Sequence, residues 1–135
     1  VSEWKDFVVG ELTAAGRGAI LGGHSVGASV IARLLVDNAF ESLPSGVFLI
    51  ASPFWYDHDF WKSKELELPP DASARIPAHL PLYLYHGRDD EFVPFEHVEM
   101  YAKLIPRATV RRLDGRNHQL NEVLSELVRD IKSLR

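Results

Sequence analysis

Apolar positions divide the chain into alternating helical and extended segments. Trp4, Phe7, Val8, Glu11 and Leu12 recur at helical spacing, four of the five apolar, which predicts an amphipathic helix over 2–14 stopped by Gly16 and Gly18. Ala19-Ile20-Leu21 predicts a short buried strand running into Gly22 and Gly23. A second helix follows from Val26 to Phe40, with Val30, Ile31, Leu34 and Leu35 on one face, and Pro44-Ser45-Gly46 makes a turn. Val47-Phe48-Leu49-Ile50-Ala51 is a continuous apolar run, as expected of a strand covered on both sides. Residues 52–81 are irregular, with five prolines and the aromatic run Phe54-Trp55-Tyr56; a connection of that length is either functional or holds a short helix of its own. Beyond it lie a strand over 81–85, a helix over 95–104, an alternating edge strand over 109–113 and a closing helix over 121–134. The last helix should turn Val123, Leu124, Leu127, Val128 and Ile131 inward.

Strands joined by helices predict an α/β fold, a mostly parallel sheet with helices on both faces, in a single domain over 1–135. Composition agrees: 46% hydrophobic and 25% charged residues are those of an ordinary globular chain. Net charge is −4 and the cations are scattered, so no nucleic-acid footprint is expected. No cysteine is present, which excludes disulfides and a thiolate nucleophile. No apolar run approaches the ~20 residues of a membrane span, and no signal peptide is evident. The expected location is cytoplasmic by default, without a membrane partner.

Chemistry enters at Gly23-His24-Ser25-Val26-Gly27, where a predicted strand hands over to a helix. A sharp turn there lifts a serine hydroxyl clear of the sheet, strains its backbone and needs small neighbours, Gly23 and Gly27. It also aims the Val26 N–H at an oxyanion developing on a carbonyl attacked by Ser25. The bland alternative is a Gly-rich turn with a chance serine. A serine needs a base, and the base an orienting carboxylate. Two loops at strand ends offer them: His86-Gly87-Arg88-Asp89-Asp90-Glu91-Phe92-Val93-Pro94, then Asp114-Gly115-Arg116-Asn117-His118.

The segment His86 to Pro94 resembles the acid-bearing His-Gly-x-x-Asp-x-x-Val-Pro segment of α/β-hydrolases, with the acid at Asp90. Gly115-Arg116-Asn117-His118 is similar to that family's histidine loop, although glycine more often stands where Asn117 is. The resemblance implies a Ser25–His118–Asp90 triad in a three-layer fold. The short spacings, 65 positions from Ser25 to Asp90 and 28 more to His118, leave no room for a large cap. They resemble the compact branch that includes the retinoblastoma-binding-protein-like serine hydrolases.

Rivals are weaker. Asp89 adjoins Asp90 off the family register, Asp57 and Asp59 follow the second strand, and Asp114 suits a turn with Gly115. Of the other histidines, His24 holds the variable position of the elbow and His86 suits a hydrogen-bonding role at a strand end. His58, His79 and His97 read as loop or helix-surface residues. No His-x-x-x-His pair or carboxylate-rich loop occurs, so neither metal nor cofactor is expected. Phe54, Trp55, Tyr56, Phe60, Trp61 and Phe92 either line a substrate pocket or pack the long loop on the sheet. Arg107, Arg111, Arg112 and Arg116 suit a solvated edge.

The family sheet normally carries three or four further strands on the N-terminal side, one of which leads to the second oxyanion donor. With four strands visible and Val1 opening the helix before the elbow, the chain is expected to be the C-terminal part of a longer α/β-hydrolase. An exposed sheet edge would then need cover, for which pairing in a homodimer is one route. The expected activity is serine hydrolysis of an ester-type acyl bond in a small substrate. The alternative is a non-catalytic or weakly catalytic protein-interaction module on the same fold.

Overall fold

The computed structural model describes residues 1–134. Its elements are α1 (Ser2–Ala15), β1 (Ile20–His24), α2 (Val26–Val36), β2 (Gly46–Ile50), α3 (Ala72–Arg75), β3 (Leu82–Gly87), α4 (Glu96–Leu104), β4 (Thr109–Leu113) and α5 (Ser125–Ser133). The strands lie side by side in chain order, and every neighbouring pair is parallel. Register runs Gly23 to Leu49, Leu49 to Leu84 and Leu84 to Val110, so the strand ends are level at one edge of the sheet.

Successive strand residues point to opposite faces, and the two faces gather different layers. Val47, Leu49, Leu82 and Leu84 share a core with Leu12 of α1, Ile31 and Leu35 of α2, and Val98 and Tyr101 of α4. Phe48 and Tyr85 point the other way, towards Leu127 and Ile131 of α5. The fold is therefore a three-layer α/β sandwich. The long connection does hold a short helix, α3, and its Phe54 and Trp55 pack on the larger core.

Several elements depart from the sequence pattern, each for a local reason. α2 stops at Val36, four residues short of Phe40, because Asn38 takes a left-handed conformation (φ 53°). Asn38 N–H then donates to Leu35 O and Ala39 N–H to Leu34 O, which closes the helix in a Schellman motif. β1 is not buried in this chain: it forms one border of the sheet, and Ile20 is 42% exposed. α1 packs through Leu12, with Val8 and Val9 half-buried, while Trp4 and Phe7 stand 57% and 68% exposed.

The closing helix is shortened as well. Leu120, Asn121 and Glu122 all have φ between 54° and 61°, a run no right-handed helix accommodates, so α5 begins only at Ser125. Val123, Leu124 and Val128 remain exposed rather than facing inward. The buried residue of α5 is Asp130 instead. Tyr85 Oη donates to its Oδ2 (2.7 Å), and the Arg111 guanidinium grips both oxygens (3.0 and 2.8 Å). A buried carboxylate without such partners would be expensive; here two strands supply them and fix the helix on the sheet.

Candidate active site

The level edge of the sheet brings together the ends of β1, β3 and β4. At the end of β1 the chain turns through Ser25 at φ 55°, ψ −128°, a conformation that costs any residue with a Cβ. Two contacts hold the turn: Ser25 N–H donates to Ile50 O on β2 (2.8 Å), and Ser25 O starts α2 by accepting from Ala28 N–H (3.0 Å). Gly23 is required by space, since a Cβ there would approach Ala28 N to 2.9 Å and Ile31 Cδ1 to 2.7 Å. Gly27 is not so constrained. A Cβ there meets nothing within 4 Å, and the expected collision at the second elbow glycine does not occur. Val26 is the first residue of α2, where a backbone N–H has no carbonyl a turn earlier to bond.

Beyond β3, Asp90 is enclosed by four N–H donors. Its Oδ1 accepts from Val93 N (2.7 Å) and Phe92 N (2.9 Å); its Oδ2 accepts from His118 Nδ1 (2.8 Å) and His86 Nε2 (3.2 Å). His86 Nε2–H is shared with Val93 O at 2.9 Å, which fixes that tautomer. Burial alone would push the Asp90 carboxyl up. The hydrogen bonds from His86, His118, Val93 and Phe92 outweigh it and hold the group well below the usual carboxylate range. Asp90 is thus an anion at neutral pH.

His118 is buried and bonded at every polar group but one. Its ring gives the Nδ1 proton to Asp90, its N–H donates to Glu91 Oε2 (3.2 Å), and its carbonyl accepts from His24 Nε2 (2.8 Å). Because the carboxylate can only accept, Nδ1 carries a proton, and in the neutral ring the lone pair is therefore on Nε2. The Phe92 ring, 66% exposed, leans on the imidazole with ring centres 5.4 Å apart. The structure brings Asp90 and His118 together; it draws no hydrogen bond between Ser25 Oγ and the His118 ring.

The loop carrying His118 owes its shape to residues that sequence patterns do not reveal. Asn117 Oδ1 accepts from the N–H groups of Gln119 (3.0 Å) and Asn121 (2.8 Å), and Asn121 Oδ1 accepts in return from Asn117 N–H (2.8 Å). Arg116 donates to Val123 O (2.9 Å) and pairs with Glu126 (2.9 Å). This brace stabilises the left-handed run at 120–122. It also gives Asn117 a purpose at the position where the family motif more often has glycine. Gly87 permits the two loops to meet, because a Cβ there would run into the Arg116 carbonyl. Asp89 N–H bonds that same carbonyl at 3.0 Å.

Several of the rival residues are occupied elsewhere. Asp57 pairs with Lys62 and Asp114 with Arg88, both at the surface, while Asp89 is exposed. His97 proves buried, not a surface residue of α4: its Nδ1 accepts from Phe54 N–H (2.8 Å), and burial lowers its pKa to about 4. His58 Nδ1 accepts from Phe60 and Trp61 N–H within its own loop. That loop closes on itself and on α4 through Trp55–Trp61, Trp61–His97 and Phe54–Tyr101 contacts, so only Phe92 of the six candidate aromatics touches His118. Arg111, Arg112 and Arg116 are paired with Asp130, Glu99 and Glu126, and Arg107 donates to Pro77 O and Leu80 O. Among the described residues, no group of three or more metal-ligating side chains converges, and no helix is long and apolar enough to cross a membrane.

No protein-family model matches the chain, and no curated protein sequence does. Solved structures do match in fold. A predicted CIB-like hydrolase from Thermoplasma acidophilum superposes with a TM-score of 0.70 at 18% identity, over 98% of this chain and 58% of that one. Arabidopsis thaliana SOBER1 gives 0.68 at 16% identity, over 98% of this chain and 61% of that one. The esterase domain of a Rhodothermus marinus protein gives 0.53 at 20% identity, over 76% and 53%. The fold is that of the α/β hydrolases, as the motifs led one to expect. The chain spans about three fifths of the length of the first two neighbours. None of the three is named as a retinoblastoma-binding-protein-like hydrolase, and at 16–20% identity the likeness carries the fold alone.

Proposed function

We propose that the protein is a serine hydrolase acting on an ester-type acyl bond of a small substrate. Ser25 Oγ attacks the carbonyl carbon while His118 Nε2 takes its proton, and Asp90 stabilises the imidazolium so formed. The Val26 N–H donates to the oxyanion. Collapse of the tetrahedral species returns the proton to the leaving alcohol, and water repeats the sequence through the same base to release the acid. The observation that carries this reading is the buried His118–Asp90 bond of 2.8 Å, which turns Nε2 away from the carboxylate, on a ring whose centre lies 4.7 Å from that of His24, the residue before Ser25. Treatment with a fluorophosphonate probe and mapping of the adduct tests it. Covalent label on Ser25, abolished by Ser25→Ala and His118→Ala, is expected; an unlabelled Ser25 refutes it.

A second reading, a protein-interaction module on the same fold, draws on the missing Ser25–His118 hydrogen bond and on the exposed Trp4 and Phe7. It becomes the better account if Ser25 does not label while the chain remains folded.

A further inference from the structure

We infer that His24 is a positioning residue that ties the nucleophile turn to the loop of the base, an inference that rests on the serine-hydrolase reading above. His24 occupies the elbow position next to Ser25, where the motif tolerates many residues. Here its ring does two things that a generic side chain could not. Nε2–H donates to the His118 carbonyl at 2.8 Å, across 94 positions of sequence. The two imidazole rings also lie tilted against each other, with centres 4.7 Å apart. The acceptor is a carbonyl, so His24 must carry its proton on Nε2 whether the ring is neutral or charged.

The need for such a tie follows from the build of the histidine loop. His118 precedes three left-handed residues, Leu120 to Glu122, none of them glycine. The brace of Asn117, Asn121 and Arg116 acts within the loop and on α5; it sets the loop's shape but does not connect it to β1. Asp90 and Glu91 fix His118 from the β3 side. His24 supplies the hold from the β1 side, and it moves with Ser25 because the two are adjacent in the chain. A shift of the elbow relative to the base would therefore have to break this bond. Displacement of reacting groups by about an ångström commonly costs some hundredfold in rate, so the bond bears on chemistry even though His24 does not touch the reacting atoms.

Two variants and two readouts test the assignment. His24→Gln places an amide N–H along nearly the same path as Nε2; His24→Leu keeps bulk and removes the donor. The first readout is the low-field proton NMR signal of His118 Nδ1–H on Asp90, which needs no catalysis. It should persist in the wild type and the Gln variant and broaden or vanish in the Leu variant. The second is the rate of Ser25 labelling by a fluorophosphonate, expected to fall about tenfold or more in the Leu variant and to stay within roughly threefold of wild type in the Gln variant. A low-field signal unchanged by His24→Leu overturns the inference, as does equal loss of labelling in both variants. Should the Leu variant fail to fold, the imidazole nitrogen spectrum of the wild type decides: neutral His24 protonated at Nε2 supports the tie, and a proton on Nδ1 overturns it. If wild-type Ser25 does not label at all, the hydrolase reading fails, whereas the low-field proton still reports whether His24 holds the loop.

Discussion

Replacing Gly87 with alanine adds one methyl group at the point where the acid and histidine loops meet. That methyl would lie 2.6 Å from the Arg116 carbonyl carbon and 2.8 Å from Asn117 O, both backbone atoms, whereas ordinary contact begins near 3.4 Å. The histidine loop must retreat by close to an ångström or β3 must bend. Overpacking of this kind costs about 1–3 kcal/mol. The alanine regains roughly 0.4–1 kcal/mol by restricting the unfolded chain, since Gly87 has no positive φ to lose. A net loss of about 1–2 kcal/mol is expected. Urea denaturation followed by circular dichroism should show it as a midpoint lowered by roughly 0.5–1 M, for a slope near 2 kcal/mol/M. Gly10→Ala serves as the control. It lies within α1, a Cβ there meets nothing within 4 Å, and a gain of about 0.5–1 kcal/mol is expected. A Gly87→Ala protein as stable as the wild type would refute the claim that these loops are in contact through the glycine.

Other consequences can be measured on the same protein. Asp90 and Asp130 are both held below the ordinary carboxylate range, Asp130 chiefly by the Arg111 hydrogen bonds, so the unfolded chain binds more protons than the native one in acid. Their stabilisation is complete above the unfolded pKa near 4 and is lost as pH falls towards their native values; Asp130→Asn should flatten the urea midpoint against pH between about 5 and 2. His97 is neutral and buried with its pKa lowered to about 4, so its ring signals should not titrate between pH 7 and 5. Stability should gain from it as pH rises from about 4 through the unfolded value near 6.5. Ser25→Gly should be more stable than Ser25→Ala by about 1 kcal/mol in thermal or urea unfolding, because only glycine is unstrained at φ 55°, ψ −128°. Equal stabilities would remove strain from the account of the elbow.

Much of this fold was legible because its information is local. The continuous run Val47–Ile50 suited an interior strand, and the Gly-rich passage into α2 marked the turn on which Ser25 sits. Asp90 and His118 were picked out by the resemblance of two strand-end loops to a family motif, and the structure joins the two by a hydrogen bond. What escaped the pattern was set by distant or conformational constraints. Leu120 and Glu122 have no preference for left-handed backbone; they adopt it because Asn117 and Asn121 brace each other around them. The apolar spacing of 121–134 gave no warning that its buried member would be Asp130, whose partners lie on β3 and β4. His97 looked like a surface residue because its acceptor role is towards Phe54, 43 positions earlier. His24 was hidden by its place in a variable position of the motif.

The tie between His24 and His118 also bears on how the chain folds. Strand neighbours follow chain order, so the sheet can zip from β1 to β4 through successive local steps. The His24–His118 bond spans 94 positions and closes only when both borders of that sheet are in place. Loop-closure entropy weighs on so distant a contact until shorter pairings have been made. His118 is thus a reporter of completed folding: its low-field proton should be among the last native signals to emerge during refolding, after the strand amides of β2 and β3 are protected.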